Sequence, residues 1–214
     1  MVRQRVHSPR RTCKVPFRGR GMTKERAMAA ARRILLEEGY AHLTMERVAQ
    51  ESRIAKTTLY RRWPTKAALC MDLYLDAAQD LHDPEAGDVA LDLKSLAEAV
   101  VRLQTRTVAG PALVGLIAEA QINPETKGPF LAEFAEQRRR LTRRILRRAV
   151  ESGELQPDTN IDLVIDAVGG AVTFRLLQGH APINKKFTDE LIDLILCGCK
   201  KQKRVQDQDE PGSR

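Results

Sequence analysis

The chain has 214 residues, 43% hydrophobic and 30% charged, a balance that excludes a disordered polymer and leaves room for a sizeable core. No run approaches the roughly 18–20 apolar residues needed to span a bilayer, and the basic N-terminus lacks the apolar stretch of a secretory signal, so a soluble cytoplasmic protein with no membrane partner is expected. The formal charge of +8 is unevenly placed: residues 1–81 hold 17 Lys/Arg against 8 Asp/Glu, and 82–214 hold 19 against 20. The positive field of the N-terminal third points to a polyanion such as DNA.

Positions 1–21 carry seven Lys/Arg and no acid, interrupted by Pro9, Pro16, Gly19 and Gly21. They read as a disordered basic arm that would add counterion-releasing phosphate contacts; Met22 follows directly and is an alternative start. Thr23 offers an N-cap, and Ala27, Ala30, Ala31, Ile34 and Leu35 form an apolar stripe that Gly39 closes. Thr44 caps a short second helix with Met45, Val48 and Ala49 inside it. A third runs from about Lys56 to Arg62 and ends before Pro64, because the residue preceding proline avoids the helical region. A fourth starts near Thr65 and reaches about Leu81.

Asp83, Pro84, Gly87 and Asp88 mark a linker. Helices are then expected over about 89–109, 112–122, 126–152, 160–178 and 187–199, punctuated by Gly110-Pro111, Asn123-Pro124, Gly153 with Pro157, and Gly179 with Pro182. No segment alternates with period two, so the fold class is all-α without a sheet. The tail from Lys200 is polar and expected to fray.

Positions 44–63, TMERVAQESRIAKTTLYRRW, have the spacing of a helix-turn-helix. Ala49 is small where the second helix crosses closely, and Ile54 and Leu59 anchor the segment after the turn. That geometry projects the front of the second helix into a major groove. Lys56, Thr57 and Thr58 would then face base edges, since lysine donates to guanine acceptors and threonine offers a hydroxyl or meets a thymine methyl. Tyr60, Arg61 and Lys66 would hold phosphates, with Thr44 at the start of the preceding helix. Short amphipathic helices with a basic face also occur in proteins that bind no DNA, and spacing alone leaves that alternative open.

The run GYAHLTMERVAQESRIAKTTLYRRWPTKAAL resembles the N-terminal module of tetracycline-repressor (TetR) family regulators. Gly39, Tyr40, Thr44, Val48, Ala49, Ile54, Lys56, Thr58, Leu59, Tyr60, Trp63 and Lys66 carry the match. LIAEAQ and the stretch from RRAVESGELQ to FRLLQG resemble the C-terminal domain of the subgroup with Tyr-Arg-Arg-Trp-Pro after the recognition helix. The resemblance implies a helix-turn-helix domain over 22–81, including a connecting fourth helix, and a larger helical ligand-binding and dimerisation domain over 82–199, followed by a disordered tail over 200–214. It also implies a homodimer joined by the last two helices on a palindromic operator, an unknown small-molecule effector among the helices between 65 and 178, and repression as the mode of action. A ligand-independent DNA-binding protein, an activator, or a helical enzyme with a basic docking face are the alternatives; no nucleophile or acid–base pair supports the last, and no cofactor is expected. Two positions depart from the family. Arg53 stands at the turn where glycine is usual, and Ala55 opens the recognition helix where Ser or Thr would cap it.

Other constellations favour structural readings. Seven arginines between Arg138 and Arg148 are expected to cover the face opposite Phe134, Leu141, Ile145 and Leu146, paired with acids such as Glu136. Asp162 and Asp166 lack a catalytic partner, and Asp162 is expected to favour its helix's N-terminal dipole. His7, His42, His82 and His180 have no metal spacing, and Cys13, Cys70, Cys197 and Cys199 read as reduced thiols. Gly169, Gly170 and Ala171, flanked by Ile165, Val168 and Val172, permit close helix approach, either in a dimer interface or within the monomer.

Overall fold

The computed structural model describes residues 19–199, except for the side chains of residues 19–21, 131 and 133. Most of the arm and the tail from Lys200 lie outside these residues. Helix α1 (Gly19–Glu37) is followed by a 3-10 turn (Tyr40–His42), α2 (Met45–Ser52), α3 (Lys56–Arg62), α4 (Lys66–Ala77), α5 (Val89–Arg106), α6 (Ala109–Ile122), α7 (Pro124–Pro129), a π-helical segment (Phe130–Ala135), α8 (Glu136–Glu151), α9 (Ile161–Gln178) and α10 (Lys185–Cys199). No strand occurs among the described residues.

Several boundaries follow local chemistry. Thr44, Thr65, Asp88 and Asn160 cap α2, α4, α5 and α9 by accepting the backbone N–H groups of Arg47, Ala68, Leu91 and Leu163. Each bond satisfies a donor that the helix itself cannot pair. Gly179 ends α9 in the left-handed region at φ 63°. Pro111 sits in the first turn of α6, where no intrahelical donor is needed.

Other expectations are corrected. α1 already runs from Gly19, so Thr23 lies within the helix instead of capping it, and three residues assigned to the arm are helical. α4 stops at Ala77, short of Leu81. The helix expected over 126–152 starts at Pro124 and runs on without a gap to Glu151, but Pro129 supplies no N–H and the chain widens into π turns over Phe130–Ala135 before resuming as α8. Asp162 does lie in the first turn of α9, whose cap is Asn160.

The helices bury two clusters. The first joins α1–α4 to α6, from Ala27, Ile34 and Leu35 through Val48, Leu59 and Leu73 to Leu113 and Leu116, and extends to Phe134. The second joins α5, α8, α9 and α10 through Leu93, Leu96, Ile145, Leu146, Ile165, Ile192 and Leu196. A helix beyond the linker thus completes the core of the N-terminal module. Tyr40 lies so close to Gly115 of α6 that a Cβ there would overlap its ring, which explains glycine in the middle of that helix.

The arginines of α8 hold the second unit together. Arg148 donates to both carboxylate oxygens of Asp83 at 2.8 and 3.0 Å and to the Pro84 carbonyl at 2.7 Å, and it meets the buried Asp92 at 3.3 Å, fastening the linker. Arg139 pairs with Asp162 and Asp166, and Arg143 with Asp162 and Glu136. The two aspartates are therefore ion-pair partners of α8.

Candidate nucleic-acid interface

The α2–α3 turn is set by Arg53, whose φ of 53° and ψ of 43° are left-handed; no other non-glycine described residue has positive φ. Its N–H reaches back to the carbonyls of Ala49 and Gln50, closing α2 as glycine would. Ala55 then opens α3 without a side-chain cap, its carbonyl accepting from Thr58 N–H at 2.9 Å. Both departures from the family therefore fall where the geometry makes them matter, yet the two helices still form.

Leu59, 1% exposed, fixes the inner face of α3. Lys56, Thr57, Tyr60 and Arg61 are exposed, while Thr58 is half-buried and lines a cleft with Thr23 and Lys24 of α1. Thr57 and Arg61, one turn apart, share the outer face. Trp63, 3% exposed, closes the helix, and its Nε1–H donates to Asp72 of α4 at 2.9 Å. This bond ties the recognition helix to the helix behind it.

Glu46 of α2 is a participant that sequence reading missed. Its carboxylate stands 3.3 Å from Lys56 Nζ and accepts from the Tyr60 hydroxyl at 3.3 Å. Its own backbone N–H, then Lys56 and Tyr60, hold it below the usual carboxylate range. Lys66 stands apart from the exposed residues of α3. Its Nζ lies 3.7 Å from Glu119 of α6 and 4.4 Å from the centre of the Tyr40 ring. Thr44 is exposed, but its hydroxyl oxygen is engaged as the cap of α2. Arg47 fastens α2 to Glu38 and Glu51, leaving Arg53, Lys56, Arg61 and Arg62 as the exposed cations around the recognition helix.

Behind this face, α4 carries Asp72 toward Trp63 and Tyr74 toward the second unit. Tyr74 packs edge-on against Phe134 at 4.9 Å between ring centres, and its hydroxyl accepts from Arg138 Nε at 3.1 Å. Burial pushes the neighbouring Cys70 thiol up to about 12, so it remains protonated and serves as core. Among the described residues no three His, Cys, Asp or Glu converge as a metal-ligand set, and no helix is long and apolar enough to cross a membrane.

Two family models match the chain: bacterial regulatory proteins of the tetR family over residues 27–72, and the tetracyclin repressor-like C-terminal domain over residues 83–195. The DNA-binding transcriptional repressor TetR of Mycobacteroides abscessus is 30% identical over 194 residues, covering 83% of this chain and 94% of that protein. The uncharacterized HTH-type transcriptional regulator YdeS of Bacillus subtilis is 28% identical over 171 residues, covering 79% and 86%. The crystal structure of the TetR family transcription regulator SCO0332 superposes with a TM-score of 0.70 at 37% identity, covering 84% of this chain and 99% of that one. The chain belongs to the TetR family of helix-turn-helix DNA-binding transcriptional regulators.

Proposed function

We propose that the protein is a ligand-responsive repressor that binds a palindromic operator as a homodimer in the cytoplasm, within the subgroup marked by Tyr60-Arg61-Arg62-Trp63-Pro64. The observation that carries the DNA-binding part is α3 itself. Its inner face is held by Leu59 and Trp63, and its outer face offers Lys56, Thr57, Tyr60 and Arg61. Thr57 and Lys56 are the base-reading candidates, with Thr58 at the edge of the face and Arg61 able to reach either a base or a phosphate. Tyr60 and Lys66 are assigned to phosphates, and Thr44 to the start of α2 beside the backbone. Lys56 and Tyr60 would exchange Glu46, and Lys66 would exchange Glu119, for a phosphate.

Dimerisation is supported by α9 and α10. Leu163, Ala167, Gly170, Phe174 and Leu177 recur at helical spacing on one face of α9; Leu163 is 63% and Phe174 58% exposed. On α10, Phe187, Leu191, Leu194 and Gly198 repeat the same spacing, with Leu194 73% exposed. Added Cβ atoms at Gly169, Gly170 and Gly198 would meet nothing within 4 Å. Such contiguous apolar faces are rare on monomers, and a two-fold pairing would bury both helices against their copies.

Effector response is supported by a cavity of about 620 Å³ among α4, α5, α8 and α9. Tyr74, Leu75 and Ala78 of α4 line it, and Asp72 of the same helix holds Trp63. A ligand that favours one position of α4 would thereby change the spacing of two recognition helices, provided its affinity differs between the two states. Repression is the mode named for the Mycobacteroides abscessus relative. The test is binding to duplexes recovered from a random pool. Arg61→Ala should weaken binding while the fold and oligomeric state persist; unchanged affinity and selectivity in an Arg61→Ala, Thr57→Ala double variant would refute the assignment.

A further inference from the structure

Gln104, in the last turn of α5, lines the 620 Å³ cavity. It is 3% exposed, and neither its side-chain nitrogen nor its side-chain oxygen has a hydrogen-bond partner. An amide has both donors and acceptors, and leaving them unpaired away from water is costly. The surrounding structure fixes the residue in place. A Cβ on Gly110 would fall on the Gln104 carbonyl, so the turn into α6 closes directly over it. Thr107 Oγ1 donates to the Leu103 carbonyl at 2.6 Å and accepts from Ala109 N–H at 3.1 Å, locking the same turn.

Apolar side chains, including Leu93, Leu96, Val100 and Leu141, line much of the rest of the cavity. Of the three arginines on its α8 side, Arg139 is engaged by Asp162 and Asp166 and Arg138 by the Tyr74 hydroxyl, while Arg140 is exposed to solvent. Water can solvate the exposed Arg140, so among the buried lining groups the unmet hydrogen-bonding demand is that of the Gln104 amide.

We propose that this cavity takes an uncharged, mainly apolar effector bearing an adjacent hydrogen-bond donor and acceptor, a carboxamide or lactam, read by the paired nitrogen and oxygen of Gln104. The inference rests on the ligand-responsive reading above. A carboxylate or ester would satisfy the Gln104 N–H groups but leave its oxygen unpaired; a cis-amide or primary amide meets both in one ring of hydrogen bonds. Because Tyr74 and Leu75 of α4 line the same cavity, an occupant held by Gln104 touches the helix that leads to Trp63.

Calorimetry on the full-length protein with two apolar scaffolds separates the possibilities: decanamide against decanoate and methyl decanoate, and 2-naphthamide against 2-naphthoate and methyl 2-naphthoate. The amide of at least one scaffold should bind about tenfold or more tightly than its acid and ester, since sites built around a hydrogen-bonding group reject analogues lacking it. Gln104→Leu, or Gln104→Met if the first variant folds poorly, should erase that preference while ester binding persists. An acid or ester that binds as tightly as its amide, or an amide preference that survives both substitutions, would overturn the Gln104 assignment and leave the effector cavity standing. If none of the six compounds binds, the ligand-responsive reading fails, and the assignment with it.

Discussion

The cluster built on α1–α4 and α6 closes on itself, whereas the cluster built on α5 and α8–α10 ends in apolar side chains that no part of the described chain covers. In the first, exposed apolar groups such as Leu36 are scattered and the outward residues of α3 are polar or basic. In the second, Leu163, Phe174 and Leu177 on α9 and Leu194 on α10 are all exposed, and the adjoining cavity holds an amide with unpaired atoms. The physical difference is one of completeness. The N-terminal unit is finished as a fold and presents charge; in the function proposed above, the C-terminal unit is finished by what it binds, a second copy on one side and a small molecule on the other.

The largest expected effect tests whether a second copy completes the C-terminal unit. Phe174→Glu places a carboxylate on the proposed two-fold face, and sedimentation should show a monomer at micromolar concentration. Operator affinity should fall by about 100-fold or more, because two linked half-site contacts become one. Ile122→Glu, at an 80% exposed apolar position outside both faces, should leave the dimer intact; a dimer in both variants would remove the need for the α9–α10 pairing.

On the N-terminal side, Thr57→Ala with Thr58→Ala should change which bases are preferred, by about 1–3 kcal/mol for each lost base contact. Thr57 should account for most of it, because Thr58 is half-buried beside α1. Competition binding on single-base operator variants measures this, and equal contributions from the two positions would show that α3 is rotated relative to the orientation described above.

Arg53→Gly separates folding from binding within the same unit. Relief of the left-handed backbone should raise stability by about 1 kcal/mol. Loss of the exposed guanidinium should at the same time shallow the salt dependence of DNA binding by about 0.9, one phosphate's worth. Denaturant melts and salt titrations read the two effects independently. A smaller effect is expected from Glu119→Gln, which frees Lys66 from its 3.7 Å pair. DNA binding should tighten by about two- to fivefold, the range of a partly exposed ion pair, and looser binding would mean that the pair positions α4 for DNA.

The smallest effect belongs to the other cluster and to pH. Arg143 and then Arg139 hold Asp162 below the usual aspartate range. A carboxylate depressed in the folded state contributes stability above its unfolded pKa and loses it as pH falls through the folded value. Thermal melts between pH 6 and 3 should therefore show acid destabilisation that Asp162→Asn lessens.

How much of this was legible in the sequence follows the same division. The cap at Thr44, the helix start near Thr65, the stop at Pro64 and the anchors Ile54 and Leu59 act through near neighbours, so spacing reveals them. The strain at Arg53 was legible only through the resemblance, because the family usually has glycine at that turn. Glu46 beneath Lys56 and Tyr60, Glu119 beneath Lys66, and Tyr40 against Gly115 depend on how helices cross, which no local pattern encodes. The π turns after Pro129 leave no mark in the sequence, because the apolar stripe of Phe134, Leu141, Ile145 and Leu146 keeps a helical period through them. Gln104 gave no signal at all: a glutamine in an amphipathic helix looks solvated until its neighbours are placed.

Sequence selection from a random duplex pool, with the full-length protein at physiological salt, tests the central claim most directly. Two recognition helices related by a dimer axis should recover a two-fold symmetric motif, its half-sites centred about one helical turn or a multiple of it apart. A motif without two-fold symmetry, or a pool bound without sequence preference, would contradict the reading of this chain as a dimeric, operator-specific regulator.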